Sequence, residues 1–247
     1  MSLTRTLRWD FRLRALIFAL ASTSLACLLA EMYGIGDMRT LCLALVVPST
    51  TLLLTLALYA WRASDPEISK IIAVAAIAGI VSALAYDCFR LPFVFADAWS
   101  LRALGVPQMP LFKVFPRFGA MLLGQTIEQG VSVNEPGYAW GAGYPLRAHL
   151  VGWLYHLSNG ATFGIMFATL YASAHREWSY AKCAVAGALF AAGIEGGLLL
   201  SPYTQFFMIE STATFVIVTL AAHLVFGVTL GLMLAWMFRR RSINIPS

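Results

Sequence analysis

Apolar residues recur along this chain in six stretches of about twenty, parted by short breaks that hold charged residues, proline or glycine. The stretches run over Leu13–Met32, Leu41–Trp61, Ile71–Phe93, His149–Ala174, Ala181–Leu200 and Thr212–Phe238. An α-helix needs about 20 mainly apolar residues to cross a bilayer. The stretches show no period-two alternation, which sets aside the strands of an outer-membrane barrel. The pattern predicts an all-α, polytopic transmembrane bundle of about six spans, with residues 1–70 as an N-terminal two-span hairpin and 71–247 as a four-span core.

Composition strengthens that picture. Of the 247 residues 60% are hydrophobic and 12% charged, and the mean hydropathy is +0.75, outside the mix of a soluble domain. Lipid bilayer is the predicted surrounding, with a homo-oligomer or a membrane complex as further partners. The basic segment Met1–Arg14 followed by an apolar run invites comparison with a signal peptide. The run is long, Ser24-Leu25-Ala26-Cys27 is a poor lipoprotein box, and the stretch reads as the first span.

Charge adds an orientation. Arg5, Arg8, Arg12 and Arg14, then Arg62 and Lys70, then Arg176 and Lys182, then Arg239, Arg240 and Arg241 flank alternate span ends. The positive-inside rule puts those ends in the cytoplasm of a bacterial inner membrane, with both termini there. The net charge of +5 is spread over these ends and gives no reason to expect nucleic acid. Cys27, Cys42, Cys88 and Cys183 lie in or beside apolar spans without paired spacing, which argues against disulfides or a thiolate zinc site.

Comparing the chain with itself predicts a parallel internal repeat of two-helix units. The register His-x-x-x-Gly-x-Thr-x-Gly-x-Met-x-Ala occurs over His156–Ala168 and again over His223–Ala235. In the preceding span of each copy a glycine lies eight residues ahead of an acid, Gly79 before Asp87 and Gly187 before Glu195, and a proline follows, Pro92 or Pro202. Gly160-x-x-x-Gly164 and Gly227-x-x-x-Gly231 read as close-packing faces.

Counting along the spans at about 1.5 Å per residue puts Asp87, His156, Glu195 and His223 at similar depth in the outer half of the bilayer. An ionisable group there costs on the order of 2.5–3.5 kcal/mol on insertion scales, so it should face the bundle and find a partner. The four residues admit several readings. They are a pair of His–carboxylate hydrogen bonds that fix helix register, a nitrogen-and-oxygen shell for zinc, iron or manganese, or a proton relay coupled to solute movement. Axial ligation of a haem by the two histidines is less well supported, because of the adjacent acids. Asn159 shares the face of His156, but Phe226 takes its place in the second copy.

Arg90 and Asp97 follow Asp87 and are expected to pair with the long loop or with an anionic group of a ligand. His149 and His175 read as surface residues. The insert 98–147 is expected outside the membrane, with a short interfacial helix over Pro116–Leu123, near Gln125 and Glu128, and an aromatic anchor or lid over Tyr138–Pro145. The chain has no phosphate-binding glycine loop, no His-Glu-x-x-His, no Gly-x-Ser-x-Gly and no multi-histidine box. These absences disfavour an ATP-driven pump or a familiar membrane hydrolase.

Ala78–Ala83 leading to an acid and a proline, the His156 span, Gly187-Ala-Leu and His223-Leu-Val together resemble the YagU-like group of small bacterial inner-membrane proteins. The resemblance covers Ile71–Phe238. It implies a multi-span inner-membrane location and carries no reaction or catalytic residues. The leading functional expectation is an intramembrane carboxylate/histidine site serving solute or proton-linked transport. A membrane-embedded metalloenzyme and a structural or assembly subunit are the alternatives.

Overall fold

A computed structural model describes residues 9–62, 66–125, 138–171 and 177–240. Arg5, Arg8, Glu128, His175, Arg176 and Arg241 lie outside the described residues. The described chain is helical, with six long helices and one short one: α1 (Phe11–Met32), α2 (Met38–Arg62), α3 (Pro66–Val94), α4 (Val114–Leu122), α5 (Leu146–Tyr171), α6 (Tyr180–Leu199) and α7 (Ala213–Arg240). A one-turn helix at Tyr203–Phe206 links α6 to α7.

Helix starts follow local chemistry. The side chains of Asp10 and Asp37 accept from the backbone N–H of Leu13 and Thr40, each at 2.9 Å, so two otherwise unpaired donors are satisfied at the heads of α1 and α2. Ser179 and Thr212 do the same for α6 and α7. A π-helical turn, Cys42–Val46, interrupts α2. Pro92 sits inside α3 within its last turn, a place where a lost N–H and a ring clash disturb little helix beyond it.

Five helices are long and apolar enough to cross a membrane: α1, α2, α3, α6 and α7. Those five place the protein in a bilayer. α5, at 26 residues, is long enough but is not among them. One side of it packs on α1, α3 and α4, where His156 and Asn159 meet other side chains, while Leu150 and Leu154 on the other side are exposed. In α2 the contrast is complete. Only 6% of its most apolar window is buried, and Leu45, Leu52 and Leu54 point outward from the bundle, the pattern of a helix bathed in lipid.

The core order is α6, α7, α3, α5, each packing on the next, with α1 against α5 and α2 against α1 and α3. Trp9, Ile68, Met237 and Phe238 share one apolar cluster, so the start of α1 and the end of α7 lie at the same end of the bundle. A second cluster at the opposite end gathers Met32, Val94, Phe115 and Phe207.

Two crossings among the core helices bring backbones into direct contact. A Cβ added to Gly79 would fall 2.0 Å from the carbonyl oxygen of Gly160, and one added to Gly187 would fall 2.0 Å from that of Gly227. Gly164 and Gly231 meet the carbonyls of Ala75 and Cys183 equally closely. Only residues without a side chain permit such approach, and the dispersion contact it allows is what holds helices together where surrounding lipid removes the hydrophobic drive. We predict that Gly187→Ala, which overpacks this crossing, destabilises the protein by about 1–3 kcal/mol. Gly196→Ala, whose Cβ would meet nothing within 4 Å, should be neutral or stabilising. Thermal unfolding in detergent, followed by circular dichroism, checks the pair.

Candidate functional site

The acids on α3 and α6 lie two helical turns beyond Gly79 and Gly187, and the histidines on α5 and α7 lie one turn before Gly160 and Gly227. Because these partners run antiparallel, each glycine crossing sets an acid opposite an imidazole. His156 Nε2 is 2.9 Å from Asp87 Oδ2, and His223 Nδ1 is 3.1 Å from Glu195 Oε2. His223 Nδ1 also lies 2.9 Å from the carbonyl of Thr219, to which a proton on that nitrogen would donate. Asp87 and Glu195 are 6% and 4% exposed, which makes the imidazoles important as partners.

The two pairs are kept apart. The ring of Tyr86 stands between them, its centroid 6.0 Å from that of His156 and 4.9 Å from that of His223. Among the described residues no three His, Cys, Asp or Glu side chains are grouped as metal ligands. Asp87, His156, Glu195 and His223 thus lie as two couples.

Arg90 joins the first couple. It is 3% exposed, its Nη1 is 3.6 Å from Asp87 Oδ1, and Nη2 donates to the carbonyl of Leu111 in the long loop. The guanidinium carbon lies 4.6 Å from the centre of the Tyr86 ring and 5.3 Å from that of Phe115, so aromatic faces supply part of its stabilisation. The second couple has no such cation, because Leu198 lies where the helix register would repeat Arg90. Asn159 accepts from the Ser24 hydroxyl at 2.5 Å, and the Tyr155 hydroxyl donates to the Ser24 carbonyl at 3.2 Å, tying α1 to α5. Asp97 is exposed and pairs with Arg102, away from the site.

Both couples border one cavity of about 100 Å³ at the centre of the bundle, reached by Tyr86, Arg90, His156, Asn159, Glu195 and His223. A water needs about 10–15 Å³ measured this way, so several waters or one small polar group fit, whereas pockets for drug-sized ligands run to about 300–1,000 Å³.

α4 closes the cavity at one end. It differs from the expected interfacial helix, since Val114–Met121 are all buried. Gly119 and Gly152 let α4 meet α5 backbone to backbone, which tucks Phe115 over the ring of His156 at 4.3 Å. The Tyr138–Pro145 stretch lies behind α4, where Gly141 touches Pro116 and Trp140 neighbours His149. The lid is thus α4, and Phe115 was overlooked in the sequence because nothing local marks an apolar helix as a plug. Tyr86, next to Asp87, was also missed; the residue that precedes Glu195 is the apolar Ile194, so the polar tyrosine beside the acid was the available signal.

Membrane-crossing apolar helices around a buried ionisable centre define a polytopic helical membrane protein. Residues 119–245 match DUF6789, a family of unknown function, and with over half the chain matched the protein belongs to that family. The match takes in His156, Glu195 and His223. No curated protein and no solved structure matches the chain.

Two tests probe the charge arrangement. Asp87→Asn removes the nearest countercharge of a buried guanidinium and should cost on the order of 3 kcal/mol. Combining it with Arg90→Met should cost clearly less than the two single changes added together, as a double-mutant cycle in detergent would read. Lys113, outside the crossing helices, is buried and donates to the carbonyl of Met208 at 3.2 Å. Burial first, and then the like charge of Arg117, pull its ammonium down to about 8. Between that value and the ordinary 10.5 the unfolded chain binds more protons, so stability rises with pH. The thermal midpoint should climb from about pH 7 to about pH 9.5, and climb less in Lys113→Met.

Proposed function

We propose that the chain is a six-span membrane protein, built around a duplicated two-helix unit, that binds a solute in its central cavity and moves it together with protons. One observation carries this reading: two His–carboxylate couples and a buried arginine open on a single cavity between the helices. With both imidazoles neutral, Asp87, Glu195 and Arg90 leave one net negative charge in a low-dielectric place. A proton gained on a histidine cancels it, and an entering anion makes a further proton favourable. Solute and proton are thereby linked through the same groups, with Tyr86, Tyr203 and Asn159 as the neutral polar groups facing them.

The duplication is supported by matched contacts. Ala75, Gly79, Ala83 and Asp87 occupy the same places on α3 as Cys183, Gly187, Ala191 and Glu195 do on α6. His156, Gly160 and Gly164 on α5 correspond likewise to His223, Gly227 and Gly231 on α7. The units run in the same direction, like the parallel repeats of some transporters, with α1 and α2 as an N-terminal hairpin outside them. α5 is the sixth span, admitted to the membrane because protein covers its polar side. Basic residues at the α1-start end of the bundle favour an inner-membrane protein of a bacterium with both termini in the cytoplasm.

The test uses vesicles that enclose a pH-sensitive dye and carry the purified protein, exposed to a panel of membrane-impermeant anions and zwitterions. At least one solute should drive proton movement. His156→Ala and His223→Ala, folded as wild type, should each lower it by about a hundredfold or more, the common scale for loss of a proton-transfer group. Proton movement equal in empty, wild-type and variant vesicles across the panel would leave only a structural role for the couples.

A further inference from the structure

Arg90 holds more donors than its partners use. Nη2 donates to the carbonyl of Leu111, and Nη1 stands 3.6 Å from Asp87 Oδ1, a buried oxygen that has no donor of its own, but Nε, also buried, has no hydrogen-bond partner. Buried donors in native structures are nearly always satisfied, more so when they carry charge. Arg90 lines the cavity, so an acceptor there, above all an anionic oxygen, would complete it.

The cavity adjoins a second space. The helices around it pack side by side except α1 and α6, which no extended contact joins. A groove of about 410 Å³ runs between those two, walled by Leu25 and Leu29 on one side and Leu189, Phe190, Gly193 and Gly197 on the other. Added Cβ atoms at Gly193 and Gly197 would meet nothing within 4 Å. Leu25, Ile194 and Leu198 line both groove and cavity, so the two spaces meet at three aliphatic side chains that a ligand reaching from one to the other would have to turn aside. Beside the groove α6 exposes Val185 and Leu189, the kind of surface that lipid covers in a helix crossing the bilayer.

From this juxtaposition we infer that the ligand of the cavity is an amphiphilic anion: a long-chain carboxylate with its head at Arg90 and its chain in the α1–α6 groove, arriving sideways from the bilayer. The inference rests on the reading of the cavity as a solute site and names the class of solute. Charge selects the head, since Arg90 is a cavity-lining cation with a buried donor left over. Shape selects the tail, since the cavity alone is too small for a chain and the adjoining groove is apolar and open along one side. A single chain fits this arrangement better than a paired-chain lipid, because the groove is bounded by helices on both flanks.

The probe is stearic acid carrying a diazirine midway along its chain, photolysed with the purified protein in discs of phosphatidylcholine and mapped by peptide mass spectrometry. Label should concentrate on the α1 and α6 peptides that hold Leu25, Leu29, Leu189 and Phe190. Excess stearate should compete with it, and methyl stearate, which lacks the charge, should not. Arg90→Gln should lower competable labelling by about tenfold or more, the worth of a hydrogen bond to a charged group. Because Arg90 also braces the loop, the double change Gly193→Leu/Gly197→Leu serves as the second variant; it fills open space, and should reduce labelling comparably while leaving the thermal midpoint near wild type. Equal competition by methyl stearate, or labelling undiminished in both variants, would overturn the inference. So would a dimer that the glycine variant converts to monomer without any stearate competition, for the groove would then hold a second copy of α6. Proton movement with small impermeant solutes but no chain labelling would overturn the amphiphile and leave the solute site standing; loss of both would remove both.

Discussion

Backbone contact at the two glycine crossings is the constraint on which the rest depends. A helix pair touching through Gly79, Gly160 and Gly164, or through Gly187, Gly227 and Gly231, has little freedom to slide, because a shift of one residue would drive a side chain into a carbonyl. That locked register carries Asp87 to His156 and Glu195 to His223. The acids need a fixed partner, and they are placed beside backbone contacts that leave little room to shift.

Charge then sets the two couples apart. Arg90 draws the long loop inward through the carbonyl of Leu111, and its guanidinium is wrapped by Tyr86, Phe112 and Phe115. The loop thereby becomes part of the core: α4 sits over the cavity, and Phe115 bridges Arg90 and His156. Beside Glu195 and His223 a leucine, Leu198, stands three residues after the acid, and the linker from α6 makes one helical turn before α7. The cation and the covering helix thus lie on the side of the Asp87–His156 couple.

The partly open side belongs to the same logic. α1 closes the cavity by standing against α5 through Ser24, Tyr155 and Asn159, but it does not continue round to α6. In water an apolar gap of this kind would be unfavourable; in a bilayer it can be filled by hydrocarbon.

The sequence by itself determined the helices. Twenty-residue apolar runs have one stable state in lipid, since every backbone donor and acceptor must be satisfied within the segment, and caps such as Asp10 and Ser179 mark the starts locally. It also flagged Asp87, His156, Glu195 and His223 through rare polar letters in apolar surroundings. Only the tertiary structure decided who meets whom. The four polar residues come as two couples parted by Tyr86, Arg90 turns to the loop, and α4 is buried instead of lying at the membrane surface, because rotation about each helix axis and the path of a long loop are set by contacts distant in the chain. The polarity of α5 is the clearest case: counted along the chain it weakens the signal of a span, whereas in the bundle those same polar groups face protein, and the energy of burying them is met by neighbours that no local pattern names.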